Sequence, residues 1–494
     1  MSNLKQKILA FIDSEHESPI LAFVAIGIAP ILFYVANNYW ALNSISHLLF
    51  FSACLIGFAV GLNAVYYMCF KTNKKLHKHK GHALFWFLVI GVIFFLTHTY
   101  FNSTLKRVFL LLALVALWKL IPFKPRKLYK KIIVMLLLFS GLSMLRILIH
   151  AYEDIKPDTW VRQPDDIENV KFKKTPNVYM IQPDGYVSEQ VFDSSPYSAK
   201  SDLFSWLETN GYKVYDGFRS NYPASLTSNA SLFAMKQHKF ADMLFPKIEM
   251  ANGREIISTN NPVVSIFNNN GYQTHFIAED EYFQQNKKQK IYDHYNIEKS
   301  DFPYITIGGS EVRDVYKDFK KVFKPEDKNP KFFFIEKLLP HHVAFYNTDE
   351  SIDTERSRYL DRIEEVNVWL KDIVTYISDN DENSIIIILA DHGGWVGLRS
   401  FNDLYSNEKP ELVKSIFSNI AAIKWNGNLT EGYDKDLKSN VNVFRVLFAA
   451  LSENPKYLDN LEDDSSYNLK LNNLGYKDVI KSIDGKGNVV NILD

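Results

Sequence analysis

Five apolar stretches in the first 150 residues limit what this chain can fold into more than any other feature. They lie at about 19–40, 46–70, 83–101, 107–123 and 132–150. A helix needs about 20 apolar residues to cross the hydrocarbon core of a bilayer, because each residue rises about 1.5 Å. Five such stretches in so short a segment leave too little polar surface to cover them in water. The pattern therefore predicts a transmembrane region of five helices in residues 1–150.

The basic residues between these stretches predict the orientation of the transmembrane region. Five lysines and no acidic residue lie between the second and third stretches, and five further basic residues lie between the fourth and fifth. The positive-inside rule assigns both loops to the cytoplasm. With an odd number of spans, the N-terminus is then inside the cytoplasmic (inner) membrane, and everything after residue 150 is outside.

The composition changes after residue 150 to that of a water-soluble domain. Residues 151–172 are polar and contain Pro157 and Pro164, which predicts a linker before a catalytic domain at 173–494. Lysine plus arginine and aspartate plus glutamate both total 56, so the net charge is zero. A dedicated nucleic-acid-binding protein would normally be basic, so this class is disfavoured.

Short unbroken apolar runs in the second half predict buried strands, because strands buried on both faces lack polar alternation. Helical patterns separate them, most clearly at 351–378, where Tyr359, Ile363 and Val366 recur at helical spacing. This alternation predicts an α/β fold, a three-layer αβα domain with a mostly parallel sheet. The predicted strands are 177–181, 274–277, 332–335, 385–389 and 420–423.

Acidic residues and a histidine follow two of these predicted strands directly. Asp184 follows the first strand, and Asp391 with His392 follows the strand at 385–389. Ligands of parallel sheets bind at the carboxyl ends of strands, so these side chains are expected to meet. Carboxylates and imidazole are ligands that Mn²⁺, Mg²⁺ or Zn²⁺ accept. The sequence therefore predicts a metal site made by Asp184, Asp391 and His392.

Ser225, in the segment Tyr-Pro-Ala-Ser-Leu-Thr, is the predicted nucleophile and a further metal ligand. A hydroxyl bound to a metal loses its proton more readily and can then attack phosphorus or sulfur. A serine at the start of a helix also gains from the helix dipole, which stabilises a transferred anion. Two alternatives stay open, namely an ordinary N-cap role for Ser225 and Thr227 as the nucleophile.

These motifs resemble the sulfatase-like branch of the alkaline phosphatase superfamily, with lipoteichoic acid synthases and phosphoethanolamine transferases as the most similar members. Those enzymes have five spans and an outer catalytic domain. Their nucleophile precedes an apolar pair by seven and eight residues, and counting back from Leu232-Phe233 gives Ser225. The resemblance implies one divalent metal ion, Mn²⁺ or alternatively Mg²⁺ or Zn²⁺. It also assigns a catalytic histidine near the substrate to His341 in Leu-Pro-His-His, with His342 as the rival.

Three departures from the family pattern narrow the choice among these activities. Thr227 and Asn229 occupy the positions where formylglycine-forming sulfatases have Pro or Ala and Arg, which disfavours a true sulfatase. The only cysteines, Cys54 and Cys69, lie in the second apolar stretch, whereas phosphoethanolamine transferases have disulfides in the outer domain. Most members of both transferase families also use Thr where this chain has Ser225.

The resemblance implies a membrane-anchored phosphotransferase. It would move a phospholipid head group, of phosphoglycerol or phosphoethanolamine type, to a cell-envelope glycan or glycolipid through a Ser225-bound intermediate. His341 would hold the substrate or protonate the leaving oxygen. The alternative is an ester hydrolase, either a phosphatase, a phosphodiesterase or a sulfatase, with water as the acceptor. A non-catalytic membrane protein of this fold is the third hypothesis, but such a protein would be expected to have lost ligands.

Overall fold

The computed structural model divides the chain into an N-terminal unit, Met1–Ile155, and a C-terminal unit, Lys156–Asp494. Its last N-terminal helix continues to Ile155, into the start of the segment expected as a linker. The structure describes residues 2–39, 45–72, 74–99, 108, 112, 124–155, 159–240, 250, 252–285, 291–298, 301, 312–344, 352–406, 408–427, 429, 432–471 and 477–494.

Within the described residues, four helical segments of the N-terminal unit are long and apolar enough to cross a membrane. They are Pro19–Asn37, Leu48–Phe70, Leu76–Leu96 and Pro125–Glu153. The predicted span at 107–123 falls almost wholly outside the described residues, so the count of five spans and the orientation stay predictions. The described helices of this unit are Ser2–Asp13, Pro19–Asn37, Ile45–Thr72, Lys80–Thr99 and Pro125–Ile155, with a 3₁₀ helix at Lys74–His79.

Apolar side chains cover the outside of the N-terminal unit as well as its interior. Small and aromatic residues such as Ala25 and Phe23 pack inside against Ile133. In contrast, Leu142 is 68% exposed and Phe94 is 65% exposed. A soluble protein rarely exposes large contiguous apolar surface, so this exposure favours contact with lipid.

A sheet of seven strands forms the centre of the described part of the C-terminal unit, in the order β2-β7-β6-β1-β5-β3-β4. β1 pairs in parallel with β5 and β6, and β3 pairs in parallel with β5 and β4. Only β7 runs against its neighbours, which confirms the mostly parallel sheet. The strands are β1 Val178–Pro183, β2 Lys213–Val214, β3 Gln273–Ile277, β4 His294–Tyr295, β5 Lys331–Lys337, β6 Ile385–Leu389 and β7 Ala421–Lys424.

Both faces of this sheet are buried, as the unbroken apolar runs require. Along β1, Tyr179 and Ile181 contribute to the core on one face, and Val178 and Met180 contribute to the core on the other. Helices cover both faces, which confirms the three-layer α/β domain. They are Glu189–Phe192, Leu203–Thr209, Val315–Val322, Ile352–Asn380 and Pro410–Phe417 on the first face, and Ser225–Ala234, Gly253–Ser258, Pro262–Asn269 and Val443–Ser452 on the second.

A second sheet contains the last residues of the chain. It is antiparallel, in the order β10-β9-β8. The backbone N–H of Tyr467 on β8 donates to the carbonyl of Asn221 at 2.8 Å, four residues before Ser225. The second sheet thus supports the segment that leads to the predicted nucleophile. Its strands are β8 Ser466–Leu471, β9 Lys477–Ile483 and β10 Val489–Leu493.

Candidate metal and nucleophile site

The candidate site lies where two neighbouring parallel strands end. β1 ends at Pro183 and is followed by Asp184, and the residues after β6 include Asp391 and His392. Because β1 and β6 are adjacent and parallel, their carboxyl ends lie side by side. One ligand atom from each of Asp184, Asp391 and His392 lies within 4.8 Å of the others. All three residues are at most 5% exposed.

Two carboxylates this close need a positive partner. Burial, and next the charge of Asp391, raise the pKa of Asp184 well above its usual value, as expected for neighbouring acids. The Oδ1 atom of Asp391 accepts hydrogen bonds from the backbone N–H groups of Gly185 and His392, each at 3.0 Å. Its Oδ2 atom lies 3.4 Å from His392 Nε2. One oxygen of Asp391 is thus held by backbone and the other faces the centre of the site.

The tautomer of His392 supports a cation at this centre. Its Nδ1 lies 2.7 Å from the carbonyl oxygen of Gly393. A carbonyl can only accept, so Nδ1 carries a proton, and in the neutral ring the lone pair is on Nε2. That lone pair faces Asp184 Oδ1 at 3.5 Å and Asp391 Oδ2 at 3.4 Å. Three electron-rich atoms repel one another unless a cation lies between them, so the donor set fits a divalent metal ion.

Ser225 reaches the same centre. It is the first residue of the helix Ser225–Ala234 and is partly exposed. Its Oγ lies 3.4 Å from Asp184 Oδ1 and 3.2 Å from His392 Nε2. The structure therefore brings all four predicted metal-site residues together, and one of them faces both the ligands and the solvent.

The two alternatives for this segment fit the structure less well. The N-cap is Ala224, and its extended backbone precedes the helix, so the N-cap role for Ser225 is wrong. Thr227 is fully buried, and its hydroxyl donates to the carbonyl of Ala224 at 3.0 Å. Among the two hydroxyls, only that of Ser225 contacts the carboxylate and imidazole ligands in the described residues.

Polar side chains that the sequence analysis did not identify hold the helix against both strands. Gln182 on β1 and Asn229 exchange two hydrogen bonds, at 2.8 and 3.0 Å. Ser228 Oγ donates to the carbonyl of Asp391 at 2.7 Å, and Asn440 Nδ2 donates to the same carbonyl at 3.2 Å. These bonds fix the nucleophile's helix relative to the metal ligands. The only sequence signal for these hydrogen bonds was that two polar residues, Ser228 and Asn229, are adjacent in the segment that follows Ser225.

A further buried acid, Glu336, lies on β5 beside the site. It is the register partner of Gln182 and is 2% exposed. Burial, followed by the charges of Asp280 and Asp184, raises its pKa well above the ordinary value. The neutral, protonated form is therefore favoured, and Glu336 adds little charge to the site.

The predicted histidine motif forms a turn at the rim of the site. The backbone N–H of His341 donates to the carbonyl of Asp184 at 2.9 Å, and its backbone φ of 59° is left-handed. His341 Nε2 lies 3.9 Å from Asp184 Oδ2, and the side chain is 44% exposed. His341 is thus beyond hydrogen-bonding distance of the ligands and opens towards solvent.

Both histidines of this turn are neutral bases. The Nδ1 atoms of His341 and His342 lie 3.1 and 2.8 Å from the carbonyls of His342 and Val343, respectively. Each ring therefore has its proton on Nδ1 and a lone pair on Nε2. Partial burial lowers the pKa of His341, and burial, followed by the charge of His341, lowers the pKa of His342 further. At neutral pH the turn offers proton acceptors rather than donors through Nε2.

A family model matches part of the chain. Residues 206–411 match the sulfatase family model. This range contains Ser225, His341 and the Asp391-His392 pair, and it begins after Asp184. The match confirms the resemblance to the sulfatase-like branch. A search of curated protein sequences gave no match.

Several solved structures are similar to the chain. Integral membrane protein lipooligosaccharide phosphoethanolamine transferase A from Neisseria meningitidis is 13% identical, with a TM-score of 0.42, over 89% of this chain and 97% of that chain. The C-terminal periplasmic domain of EcEptC from Escherichia coli, in complex with Zn, is 13% identical, with a TM-score of 0.40, over 57% and 85%. Ps i-CgsB in complex with k-i-k-neocarrahexaose is 16% identical, with a TM-score of 0.40, over 62% and 82%.

Proposed function

We propose that the chain, whose residues 206–411 match the sulfatase family model, is a metal-dependent phosphotransferase anchored in the membrane. It moves a phospholipid head group to a glycan or glycolipid of the cell envelope. One observation carries the proposal: the partly exposed Ser225 Oγ lies 3.4 Å from the Asp184 carboxylate and 3.2 Å from the His392 imidazole. A nucleophile and a cation-binding set thus share one centre.

The residues present fit one divalent cation, and Asp184, Asp391, His392 and Ser225 would hold it. When bound, such an ion lowers the pKa of the serine hydroxyl and offsets the charge that develops on a phosphoryl group. Carboxylates, imidazole and a hydroxyl together suit Mn²⁺, with Mg²⁺ or Zn²⁺ as alternatives.

Ser225 is the nucleophile in the first half of the reaction. Its Oγ forms a bond to the phosphorus of the phospholipid head group, and the bond from phosphorus to the diacylglycerol oxygen breaks. The proton that the serine hydroxyl loses is balanced by the proton that the departing diacylglycerol oxygen gains. The product is a phosphodiester on Ser225 and a released diacylglycerol. The helix Ser225–Ala234 has no side-chain cap within the described residues. The unpaired N–H groups of its first turn are therefore available to hold the transferred anion.

His341 acts in the second half of the reaction. Its neutral Nε2 accepts the proton of the acceptor hydroxyl, whose oxygen then attacks the phosphorus as the bond from phosphorus to Ser225 Oγ breaks. The proton passes from His341 to the released Ser225 oxygen, which restores both groups. The lowered pKa of His341 favours this role over proton donation at neutral pH. The open position of the ring at the rim suits contact with an incoming glycan.

The apolar N-terminal helices fit a lipid donor that stays in the bilayer. In the part of the chain that the structure describes, four of them are long enough to span a membrane. We place the catalytic domain outside the cytoplasmic membrane, with the N-terminus inside, because the basic loops favour that orientation.

The test follows the Ser225 intermediate directly. Full-length protein in detergent is incubated with a phospholipid labelled in its head group, and the peptide that contains Ser225 is analysed by mass spectrometry. We expect the label on Ser225 in the wild type and in Thr227→Val, and no label or turnover in Ser225→Ala. Normal turnover in Ser225→Ala would contradict the assignment, as would label on another residue. Unchanged thermal unfolding of Ser225→Ala is the control for folding.

Hydrolysis is the second candidate, because the matched family model is that of sulfatases. Transfer and hydrolysis share the attack by Ser225 and differ only in the acceptor. Product analysis with and without an acceptor glycan separates them. Head-group transfer to the glycan supports the transferase, whereas release of the free phosphorylated head group at the same rate in both reactions supports the hydrolase.

A further inference from the structure

Trp395 follows the metal-ligand motif Asp391-His392 by three residues and contacts three segments of the site. It is 2% exposed and has a left-handed backbone, with φ of 59°. A bulky residue rarely adopts this conformation, and it persists only where the surrounding structure imposes it. Strained backbone of this kind clusters at functional sites.

The indole face packs against two histidines of the site. The ring of His342 lies 3.8 Å from the Trp395 ring, centroid to centroid, with an interplanar angle of 16°. The ring of the metal ligand His392 lies 5.1 Å away at 23°. The histidine turn and the metal-ligand segment are therefore linked through one aromatic ring.

The indole edge contacts the third segment. Trp395 Nε1 donates a hydrogen bond to the carbonyl of Pro223 at 3.1 Å. Pro223 precedes the N-cap Ala224, and Ser225 follows at once. This bond therefore fixes the chain at the entry to the nucleophile's helix, where a small rotation would move the Ser225 hydroxyl.

The backbone around Trp395 is itself held firmly. Its N–H donates to the carbonyl of Ser415 at 3.2 Å, and Val343 N–H donates to the carbonyl of Gly394 at 3.0 Å. A Cβ on Gly394 would lie 2.4 Å from the ring of Tyr359. The backbone can therefore not shift to compensate for a changed indole, and the side chain determines the spacing of the segments.

We propose that Trp395 is a positioning residue for the transfer reaction. It holds Ser225 against His392 through the Pro223 carbonyl, and it holds the histidine turn against the same ligand through ring stacking. This inference rests on the proposed function, because the reaction is the one that the positioned groups perform. Phenylalanine or leucine could fill part of the volume, but only tryptophan supplies both the wide face and the N–H donor at the edge.

The test separates the indole N–H from the ring faces. Trp395→Phe keeps an aromatic face and removes the donor. Trp425→Phe is the matched control, because Trp425 Nε1 also donates one hydrogen bond, to Tyr215 Oη at 3.0 Å, away from the ligand set. Full-length variants are assayed for kcat, KM, the rate of Ser225 labelling and bound metal per chain. If Trp395→Phe does not fold, 3-benzothienylalanine at 395 keeps the two-ring shape and removes only the donor.

Trp395→Phe is expected to lower kcat and the labelling rate about tenfold, since displacement of a reacting group by about 1 Å can cost up to about 100-fold. KM, bound metal and the activity of Trp425→Phe should stay within about twofold of the wild type. Equal labelling rates in Trp395→Phe and wild type would overturn the proposal. Loss of metal in step with activity would also overturn it, because Trp395 would then act on metal binding.

Failure of the proposed function gives a different result. Wild-type protein without turnover or label would contradict the phosphotransferase itself. The positioning role is then tested by the rate of amide hydrogen exchange in the peptides that contain Ser225 and His341. Faster exchange in both peptides of Trp395→Phe, but not of Trp425→Phe, supports the role, and unchanged exchange contradicts it.

Discussion

The two sides of the candidate site are built in different ways. On the metal-ligand side, Asp184 and Asp391 follow strands of the sheet and are buried, with at most 5% exposure. On the other side, His341 is part of a turn, with a left-handed backbone and a side chain that is 44% exposed. We infer that the two sides have separate roles. The strand ends fix the atoms that bind the cation, and the turn presents the base to a variable substrate.

The largest effect that tests these separate roles is expected when the base His341 is replaced, because activity should fall while bound metal stays the same. His341→Gln should lower kcat about 100-fold, the lower end of the range for removal of a general base. Bound metal should not change, because His341 Nε2 is 3.9 Å from the nearest ligand carboxylate. The measurements are steady-state kinetics and elemental analysis of full-length protein. His77→Gln, an exposed histidine in the N-terminal unit, is the control. Loss of metal in His341→Gln would contradict the separate roles of the two sides, because His341 would then contribute to metal binding.

A smaller effect, on stability, is expected from His238, which packs near the helix that begins at Ser225. His238 stacks on Tyr222 with ring centroids 3.6 Å apart, and its Nε2 lies 3.1 Å from the carbonyl of Thr227. Burial lowers the pKa of His238 to about 3. The unfolded chain binds the proton near pH 6.5, so the unfolded state gains protons first as pH falls. Stability should therefore decrease between pH 6.5 and about 3, by up to about 1.4 kcal/mol per pH unit.

Comparison with His238→Gln isolates this contribution, because other acid-sensitive groups are common to both proteins. The free energy of unfolding, measured by denaturant titration at several pH values, should fall less steeply in the variant. Parallel pH dependences in the two proteins would show that His238 is not buried in its neutral form.

The smallest expected effect concerns one hydrogen bond within the metal-ligand side. Ser228→Ala removes the bond from Ser228 Oγ to the Asp391 carbonyl and should cost about 1 kcal/mol of stability. Asn440 still donates to that carbonyl, so kcat should change by less than about threefold. Thermal unfolding and kinetics check this, with the exposed Ser205→Ala as control. A 100-fold loss of kcat would show that the strand ends are less rigid than the comparison requires.

The metal-ligand side could be predicted from the sequence because short, continuous segments determine it. Apolar runs followed directly by Asp184 and by Asp391-His392 define strand ends, and adjacent parallel strands must bring those ends together. The central strands and the helix at 351–378 were predicted for the same reason, since long apolar patterns determine them.

The edges of the sheet could not be predicted in this way. β2 and β4 contain two residues each, too few to show any periodicity. The reversed direction of β7 was also hidden, because an apolar run has no direction.

The rest of the site depends on contacts between distant segments. Nothing near Trp395 in the sequence indicates that its N–H meets Pro223 or that its ring meets His342. The bond from Ser228 to the Asp391 carbonyl spans 163 residues. Ser225 resembled an N-cap by sequence, but Ala224 takes that position, and only the folded chain directs the serine hydroxyl towards the ligands.

The most direct test of the shared metal and nucleophile centre is metal content beside Ser225 labelling in one experiment. Full-length wild type and Asp391→Asn, with Asp372→Asn on an exposed helix position as control, are purified in detergent and analysed for bound metal. Each is then incubated with head-group-labelled phospholipid. We predict about one ion per chain and labelled Ser225 in the wild type and the control, and neither in Asp391→Asn. Labelled Ser225 in a metal-free Asp391→Asn would contradict the account.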